Sequence, residues 1–350
     1  MRLGRTIYNE QGMVLLQEHV ELNDTLIRKL ESHGVDMVYI HDSRTEDIEI
    51  METITPETRS RALSQIKQNF SRTLDQFQRK RTVPSHLDKE FKGIVQMLLE
   101  DLGRHDQALI SLSELRGADE HLFNHSLNVG LYSIILGLSE GYTNDQLMTL
   151  GMGGLLHDIG KMQINQRILN KPGKLTGPEM DIVKRHTELG FQMLKDIPNI
   201  SLITAHCALQ HHERMDGSGY PRGIKGEDIH EYAQWIGIVD SFDAMTSHRT
   251  YRTAMLPHKA MEILYTGSGT LFDQQKLMKL RDKIAIYPIG ITVKLNTGEK
   301  GVVVDLNASS LHRPVVRILE DAEGSILNSP YEVDLSKKLN IMITDLLYEL

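Results

Sequence analysis

Apolar residues recur every three or four positions through most of the first 285 residues, the spacing that places them on one face of an α-helix. One such stretch covers residues 56–79, with charged residues between its apolar positions Ala62, Ile66, Phe70, Leu74 and Phe77. It predicts a connecting or dimerising helix, and therefore allows a homodimer. A second helical stretch follows from Phe91 to Leu102.

The pattern differs at the two ends of the chain. Residues 13–16 and 37–40 predict strands on either side of a helix over residues 23–32, which together indicate a small α/β module. After about residue 285, short apolar runs separated by turn residues predict a small antiparallel β module. The chain is therefore expected to be mainly α, and we divide it into four parts: an α/β module (1–55), connecting helices (56–104), a helical domain (105–285) and a β module (286–350).

Composition narrows the classes of partner. The net charge of −8, with both signs mixed along the chain, argues against a groove for a nucleic-acid polymer or an anionic membrane surface. Cys207 is the only cysteine, so no internal disulfide can form and a reducing, cytoplasmic location is expected. No apolar stretch resembles a signal peptide or spans a bilayer.

The first chemical signal is the pair His157-Asp158, which follows the apolar run 153–156. A carboxylate buried there without a partner costs roughly several kcal/mol or takes up a proton. A bound divalent cation would remove that cost. The pair therefore indicates a metal site.

Further candidate ligands lie in apolar or glycine-rich helical contexts. Ten of the sixteen histidines fall between His121 and His258. Asp240 shares a helical stripe with Ala233 and Ile236, so its side chain is expected to face the apolar side of the helix 231–247. Each histidine alone could be an ordinary core or surface residue, but their joint spacing predicts a set that can hold two metals: His125, His157, Asp158, His186, His211, His212 and Asp240.

Mixed imidazole and carboxylate ligation suits Fe, Mn, Zn or Co better than Mg or Ca. Two such ions about 3.5 to 4 Å apart can hydrolyse a phosphate ester, because a bridging hydroxide attacks phosphorus while both cations neutralise the developing charge. Lys161, one turn after Asp158, could neutralise the phosphate or protonate the leaving oxygen; a solvated lysine is the alternative. Phosphoester hydrolysis is therefore the leading hypothesis.

Several separated motifs, in order, resemble the HD-GYP family of cyclic di-GMP phosphodiesterases, which belongs to the HD superfamily of metal-dependent phosphohydrolases. The resemblance covers roughly residues 105–285. It is carried by Asn124-His125-Ser126, His157-Asp158-Ile159-Gly160-Lys161, Leu169-Asn170-Lys171-Pro172-Gly173, His211-His212-Glu213, Asp216-Gly217-Ser218-Gly219-Tyr220-Pro221 and Asp240-Ser241-Phe242-Asp243-Ala244.

The resemblance implies a helical HD domain with two or three metal ions, Fe or Mn being favoured, that opens cyclic di-GMP to pGpG and in some members continues to GMP. The seven metal ligands named above carry over. Asp158 and Lys161 match catalytic positions, and Asp243, Arg249 and Arg252 match positions that contact the substrate. The Gly219-Tyr220-Pro221 loop matches a surface discussed for partner proteins that include GGDEF-type domains.

Two matters stay open from the sequence. His121, one turn before His125, stands where members with three metals can carry a glutamate, so it either binds a third ion or is solvated. The chain could also be an HD phosphohydrolase for another nucleotide, or a receptor that binds cyclic di-GMP and cleaves it weakly or not at all. The complete ligand set favours catalysis over a receptor.

Overall fold

The computed structural model describes residues 1–8, 14–32, 35, 38–48, 53–78, 87–104, 121–247, 255–307 and 309–347. These form two compact units. The described parts of residues 54–281 make up a helical unit, and those of residues 1–53 and 282–350 make up a second unit that contains the sheet. The two segments predicted as N-terminal and C-terminal modules thus belong to one unit.

The mainly helical class predicted from the apolar spacing is confirmed. In the described part of the chain no helix is both long enough and apolar enough to cross a membrane. The helices of the helical unit are α2 (Pro56–Gln78), α3 (Leu87–Leu102), α4 (His121–Ser139), α5 (Asn144–Leu156), α6 (Gln166–Leu169), α7 (Gly177–Lys184), α8 (His186–Leu194), α9 (Leu202–Gln210), α10 (Glu231–Thr246), α11 (Pro257–Thr266) and α12 (Gln274–Arg281).

The apolar face of α2 packs inside the helical unit. Ile66 and Phe70 are fully buried, and the ring of Phe70 lies 6.0 Å from that of Phe91 on α3 and 5.8 Å from that of Phe123 on α4. Leu74 is half-buried, and Phe77 is exposed. Because the residues that suggested dimerisation are mostly used within the chain, they no longer support a dimer, which stays a prediction.

Close backbone contact joins α4 and α5, the helices that carry the first candidate ligands. A Cβ atom added to Gly154 on α5 would lie 2.8 Å from Cα of Gly130 on α4, so a larger residue would force the helices apart. The start of α5 is fixed by a capping box, in which Gln146 N–H donates to the Thr143 hydroxyl and Thr143 N–H donates to the Gln146 side chain.

The second unit contains a five-stranded antiparallel sheet in the order β6-β5-β4-β3-β7, which confirms the predicted β module. Its strands are β3 (Thr292–Leu295), β4 (Lys300–Asp305), β5 (Val315–Glu320), β6 (Ile326–Asp334) and β7 (Ile343–Leu347). One face buries aliphatic side chains from several strands, among them Val293, Val316 and Ile318.

The N-terminal part of this unit is small. Strands β1 (Ile7–Tyr8) and β2 (Val14–Leu16) pair, and α1 (Asp24–Ser32) follows, which confirms the predicted α/β module. The strand predicted over residues 37–40 is reduced to a single bridge between Ile40 and Leu3, and residue 37 lies outside the described residues.

Candidate metal centre

The candidate ligands come from five places in the helical unit. His125 lies on α4, His157 and Asp158 follow α5, and His186 opens α8. The pair at 211 and 212 follows α9, and Asp240 lies on α10. The fold brings all of these side chains together. All are at most 5% exposed except His212, whose side chain is 17% exposed.

Two glycines permit this convergence. A Cβ atom on Gly160 would lie 2.0 Å from the carbonyl oxygen of His186, and one on Gly237 would lie 2.5 Å from that of His211. Real Cβ atoms do not approach an oxygen so closely. Gly160 therefore allows the segment after Asp158 to contact α8, and Gly237 allows α10 to contact the end of α9.

Backbone carbonyls orient three of the imidazoles. The Nδ1 atoms of His157, His186 and His211 lie 2.7, 2.7 and 3.1 Å from the carbonyl oxygens of Gly154, Val183 and Cys207. Because a carbonyl can only accept, each Nδ1 carries the hydrogen in the neutral ring and each Nε2 presents a lone pair. Metal-binding histidines are commonly fixed in this way.

The Nε2 atoms of these rings lie close to one another or to that of His125. His186 Nε2 lies 3.3 Å from His211 Nε2, and His157 Nε2 lies 3.2 Å from His125 Nε2. Two neutral imidazoles that each donate through Nδ1 cannot hydrogen-bond through Nε2, so the His186–His211 contact needs a positive charge between or near the rings.

Asp158 belongs to two groups of candidate ligands. The ligand atoms of Asp158, His186, His211 and His212 lie within 4.8 Å of one another, as do those of His125, His157 and Asp158. Asp158 Oδ1 is buried and accepts no hydrogen bond from the described residues. An unsatisfied carboxylate oxygen beside inward-facing lone pairs fits divalent cations, with Asp158 shared between two of them.

The protonation states also fit cation binding. Burial lowers the pKa of His186 to about 4 and lowers those of His211 and His212, so these rings are neutral near pH 7. Burial alone would raise the pKa of Asp158 and Asp240, but both lie well below the usual range. Lys161 and neighbouring imidazoles lower the pKa of Asp158, and imidazoles, above all His125, lower that of Asp240. Neutral imidazole and ionised carboxylate are the forms that bind metals.

His125 differs because carboxylates face both of its nitrogens. Asp240 Oδ1 lies 3.0 Å from Nε2, and Asp243 Oδ2 lies 2.7 Å from Nδ1. Burial lowers the pKa of His125, but the two carboxylates outweigh it and raise the value to about 9.

Asp243 lies on the far side of His125 from the other ligands. It is fully buried, and it also accepts from Asn128 Nδ2 at 2.9 Å and from the Ser247 hydroxyl at 3.1 Å. Its carboxylate therefore holds His125 in place, and the substrate contact that the resemblance implies for Asp243 stays a prediction. Asn128 was missed as a site residue, although it is a polar residue one turn after His125 in an apolar helix.

Of the other candidates, the structure describes Lys161 but not the side chains of the remaining three. Lys161 donates to Asp158 Oδ2, and its side chain is 21% exposed. Arg249 and Arg252 lie outside the described residues. His121 is the first residue of α4, and its side chain also lies outside the description. The roles expected for these residues stay predictions.

The loop that contains Gly219-Tyr220-Pro221 contacts the metal ligands. The Tyr220 ring is stacked on His212, with 4.6 Å between ring centroids and 25° between planes. Glu213, which is 5% exposed, accepts from backbone N–H groups of the same loop. The sequence placed Glu213 in a motif but indicated no role for it, because its partners are backbone groups about ten residues away.

Comparison with known proteins agrees with this architecture. Residues 111–275 match the family model described as HD domain, and residues 292–349 match the one described as KOW domain associated with HD domain. The solved structure of Bd1817, an HDG"Y"P protein from Bdellovibrio bacteriovorus, is similar with a TM-score of 0.50 and 15% identity, covering 81% of this chain and 94% of that one. This likeness concerns the fold.

Curated relatives include the cyclic di-GMP phosphodiesterase PA4108 of Pseudomonas aeruginosa, which is 37% identical over 234 residues, 67% of this chain and 56% of that protein. The cyclic di-GMP phosphodiesterase response regulator RpfG of Xanthomonas campestris pv. campestris is 41% identical over 158 residues, 45% of this chain and 41% of that protein. The chain spans about half the length of these relatives. It contains an HD domain, which includes the His157-Asp158 pair and the Gly219-Tyr220-Pro221 loop, followed by a KOW domain of the kind associated with HD domains.

Proposed function

We propose that this protein is a metal-dependent phosphodiesterase that hydrolyses cyclic di-GMP to pGpG or GMP. The observation that carries the proposal is Asp158, a buried carboxylate shared by two groups of converging ligands, with one oxygen that accepts no hydrogen bond from the described residues. The names of the relatives PA4108 and RpfG support the choice of substrate.

Each group of residues has a distinct task in this proposal. One cation would be held by Asp158, His186, His211 and His212, and another by His125, His157 and Asp158, with Asp240 beside them. Such a pair of cations supplies Lewis acidity that activates water and neutralises the phosphate. Lys161 holds Asp158 through its ammonium group and adds positive charge at the partly exposed edge of the site. Arg249 and Arg252 would bind phosphate or guanine through bidentate hydrogen bonds.

The donor set of imidazoles and carboxylates favours a transition metal, and we propose Fe or Mn. We propose His121 as the ligand of a third ion. Anomalous scattering from crystals of the protein, combined with elemental analysis, would identify the metal and count two or three ions.

The test is turnover by the purified protein loaded with iron or manganese. We expect conversion of cyclic di-GMP to pGpG or GMP, and we expect Asp158→Ala to lose both the bound metal and the turnover, because it removes the shared ligand. Full activity in Asp158→Ala would refute the assignment. Retained metal in the wild-type protein without product would instead support the receptor alternative.

A different cyclic dinucleotide is the second candidate substrate. One relative, 32% identical over 176 residues, is named 3'3'-cGAMP-specific phosphodiesterase 3 of Vibrio cholerae, and it covers 50% of this chain and 38% of that protein. Parallel assays with cyclic di-GMP, 3'3'-cGAMP and cyclic di-AMP at equal concentration would separate the candidates through their ratios of kcat/KM.

The proposal also includes location and partners. Cytoplasmic location rests on the single, buried cysteine, which is typical of a reducing compartment. GGDEF-type domains are proposed partners of the Gly219-Tyr220-Pro221 loop, and a pull-down with the loop intact or altered would test that contact.

A further inference from the structure

We infer that Glu213 and Tyr220 are positioning residues that couple the loop 216–224 to the metal ligand His212. The inference rests on the proposed metal centre and deepens it, because it assigns separate control to one of the two groups of ligands. It predicts that displacement of the loop lowers the affinity for the cation held by His212 and leaves the affinity for the other cation unchanged.

The first observation is the buried carboxylate of Glu213. Its Oε1 accepts from the N–H of Arg222 at 2.7 Å, and its Oε2 accepts from the N–H of Ile224 at 3.2 Å. A buried carboxylate is costly unless it is hydrogen-bonded. Because Glu213 directly follows His212 in the chain, these two bonds tie the end of the loop to the turn that carries the ligand.

The second observation is direct backbone contact in the middle of the same loop. Tyr220 N–H donates to the carbonyl oxygen of His212 at 3.2 Å. A Cβ atom on Gly219 would lie 2.4 Å from that oxygen and 2.5 Å from Cα of Glu213. Only glycine allows this approach, so the loop is held against the turn at its middle and at its end.

The third observation is the stack on the ligand itself. Within the described residues, no backbone carbonyl accepts a hydrogen bond from the His212 ring, in contrast to His157, His186 and His211. The Tyr220 ring covers it instead, and Lys184 Nζ lies 5.4 Å from the centroid of that ring. His212 is also the most exposed ligand. Its orientation therefore depends on the loop.

Glu213→Gln tests the coupling with little change in volume. The amide offers one acceptor oxygen where the carboxylate offers two, so one of the two loop N–H groups loses its partner. We expect the affinity for one of two Mn²⁺ ions, measured by chelator competition, to fall roughly 10- to 100-fold, as when outer residues of a metal site are changed. The affinity for the other ion stays at the wild-type value.

Matched variants separate positioning from general structure. Glu227→Gln makes the same change at an exposed residue just after the loop, and it should leave both affinities unchanged. Tyr220→Ala removes the stack and should lower the affinity for the same ion as Glu213→Gln does. Tyr220→Phe keeps the ring and should keep the wild-type affinity. The visible spectrum of Co²⁺ bound at the affected position should change in Tyr220→Ala and not in Tyr220→Phe.

Several outcomes would overturn the inference. Glu213→Gln could bind both ions as the wild type does, or lose both equally while Tyr220→Ala binds normally. If Glu213→Gln fails to fold, the contrast between Tyr220→Ala and Tyr220→Phe decides alone, and equal affinities for that pair overturn the coupling. A wild-type protein that binds two ions but hydrolyses no cyclic dinucleotide would reject the proposed function and leave this inference standing.

Discussion

The helical unit and the sheet unit bury very different side chains. The sheet packs a cluster of aliphatic residues, such as Val303 and Ile318, that are fully buried. The helical unit also has a large apolar core, but at its ligand cluster it buries charged and titratable groups, among them Asp158, His157 and Asp243, which are all fully buried.

This difference distinguishes burial that stabilises the fold from burial that serves a functional site. Aliphatic side chains gain free energy from burial alone, so the sheet core needs no further explanation. Buried carboxylates and imidazoles lose hydration and need partners, and one oxygen of Asp158 accepts no hydrogen bond within the part of the chain that the structure describes. In the sheet unit, by contrast, Arg317 forms an ion pair at the surface with Asp47, whose side chain is 66% exposed. A charged core therefore indicates function where an aliphatic core indicates stability.

The largest expected effect on stability comes from a cavity-forming substitution in the sheet core. Ile318→Ala should lower the free energy of unfolding by about 2–5 kcal/mol, because it leaves a cavity among fully buried neighbours. Urea denaturation followed by circular dichroism measures the loss. Affinity for Mn²⁺ should not change. A fall in metal affinity would contradict the division between the two cores.

Bound metal should stabilise the helical unit through its buried ligand cluster, and metal removal should reverse this. Mn²⁺ at one hundred times its Kd should stabilise the wild-type protein by about 2.7 kcal/mol per site, and EDTA should reverse the gain. Asp158→Asn should gain nothing, because it lacks the charge shared by both groups of ligands. Thermal melts with and without Mn²⁺ provide the measurement, and a gain in Asp158→Asn equal to the wild type would argue against a shared ligand.

A smaller effect is expected from Gly160→Ala. The new Cβ atom would meet the carbonyl oxygen of His186, so α8 must shift at a cost of about 1–3 kcal/mol, and the His186 ligand must move with it. Both the free energy of unfolding and the Mn²⁺ affinity should fall. Gly177→Ala is the control, because nothing lies within 4 Å of its added Cβ atom. Equal behaviour of the two variants would show that the contact at Gly160 is not needed.

The smallest effect is expected from Arg317→Gln. The guanidinium pairs with Asp47 at 2.6 Å and with Glu332 at 2.8 Å, but both carboxylates are largely exposed and screened by water. Loss of these pairs should lower stability less than any change above, and the difference should fade as salt is added. Urea denaturation at low and high salt measures it. A loss as large as that of Ile318→Ala would show that the ion pairs are part of the core.

Local patterns sufficed for the elements whose causes are local. The spacing of Ile66 and Phe70 predicted α2, and the capping box of Thr143 and Gln146 at the start of α5 spans only four residues. The strand at residues 37–40 was overpredicted, since an apolar run cannot show whether a partner strand lies alongside. The role of Asp243 was also beyond local reasoning, because its partner His125 lies 118 residues earlier in the chain.

The sequence by itself determined the helical class, the β module and the seven residues that could hold cations, because periodicity, turn residues and side-chain chemistry are properties of short segments. The tertiary structure alone decided which atoms meet. It placed Asp158 between two groups of ligands, Asp243 behind His125, and Tyr220 on His212. These contacts depend on glycines such as Gly160 and Gly237 that let distant segments approach, and the distances they set cannot be read from spacing along the chain.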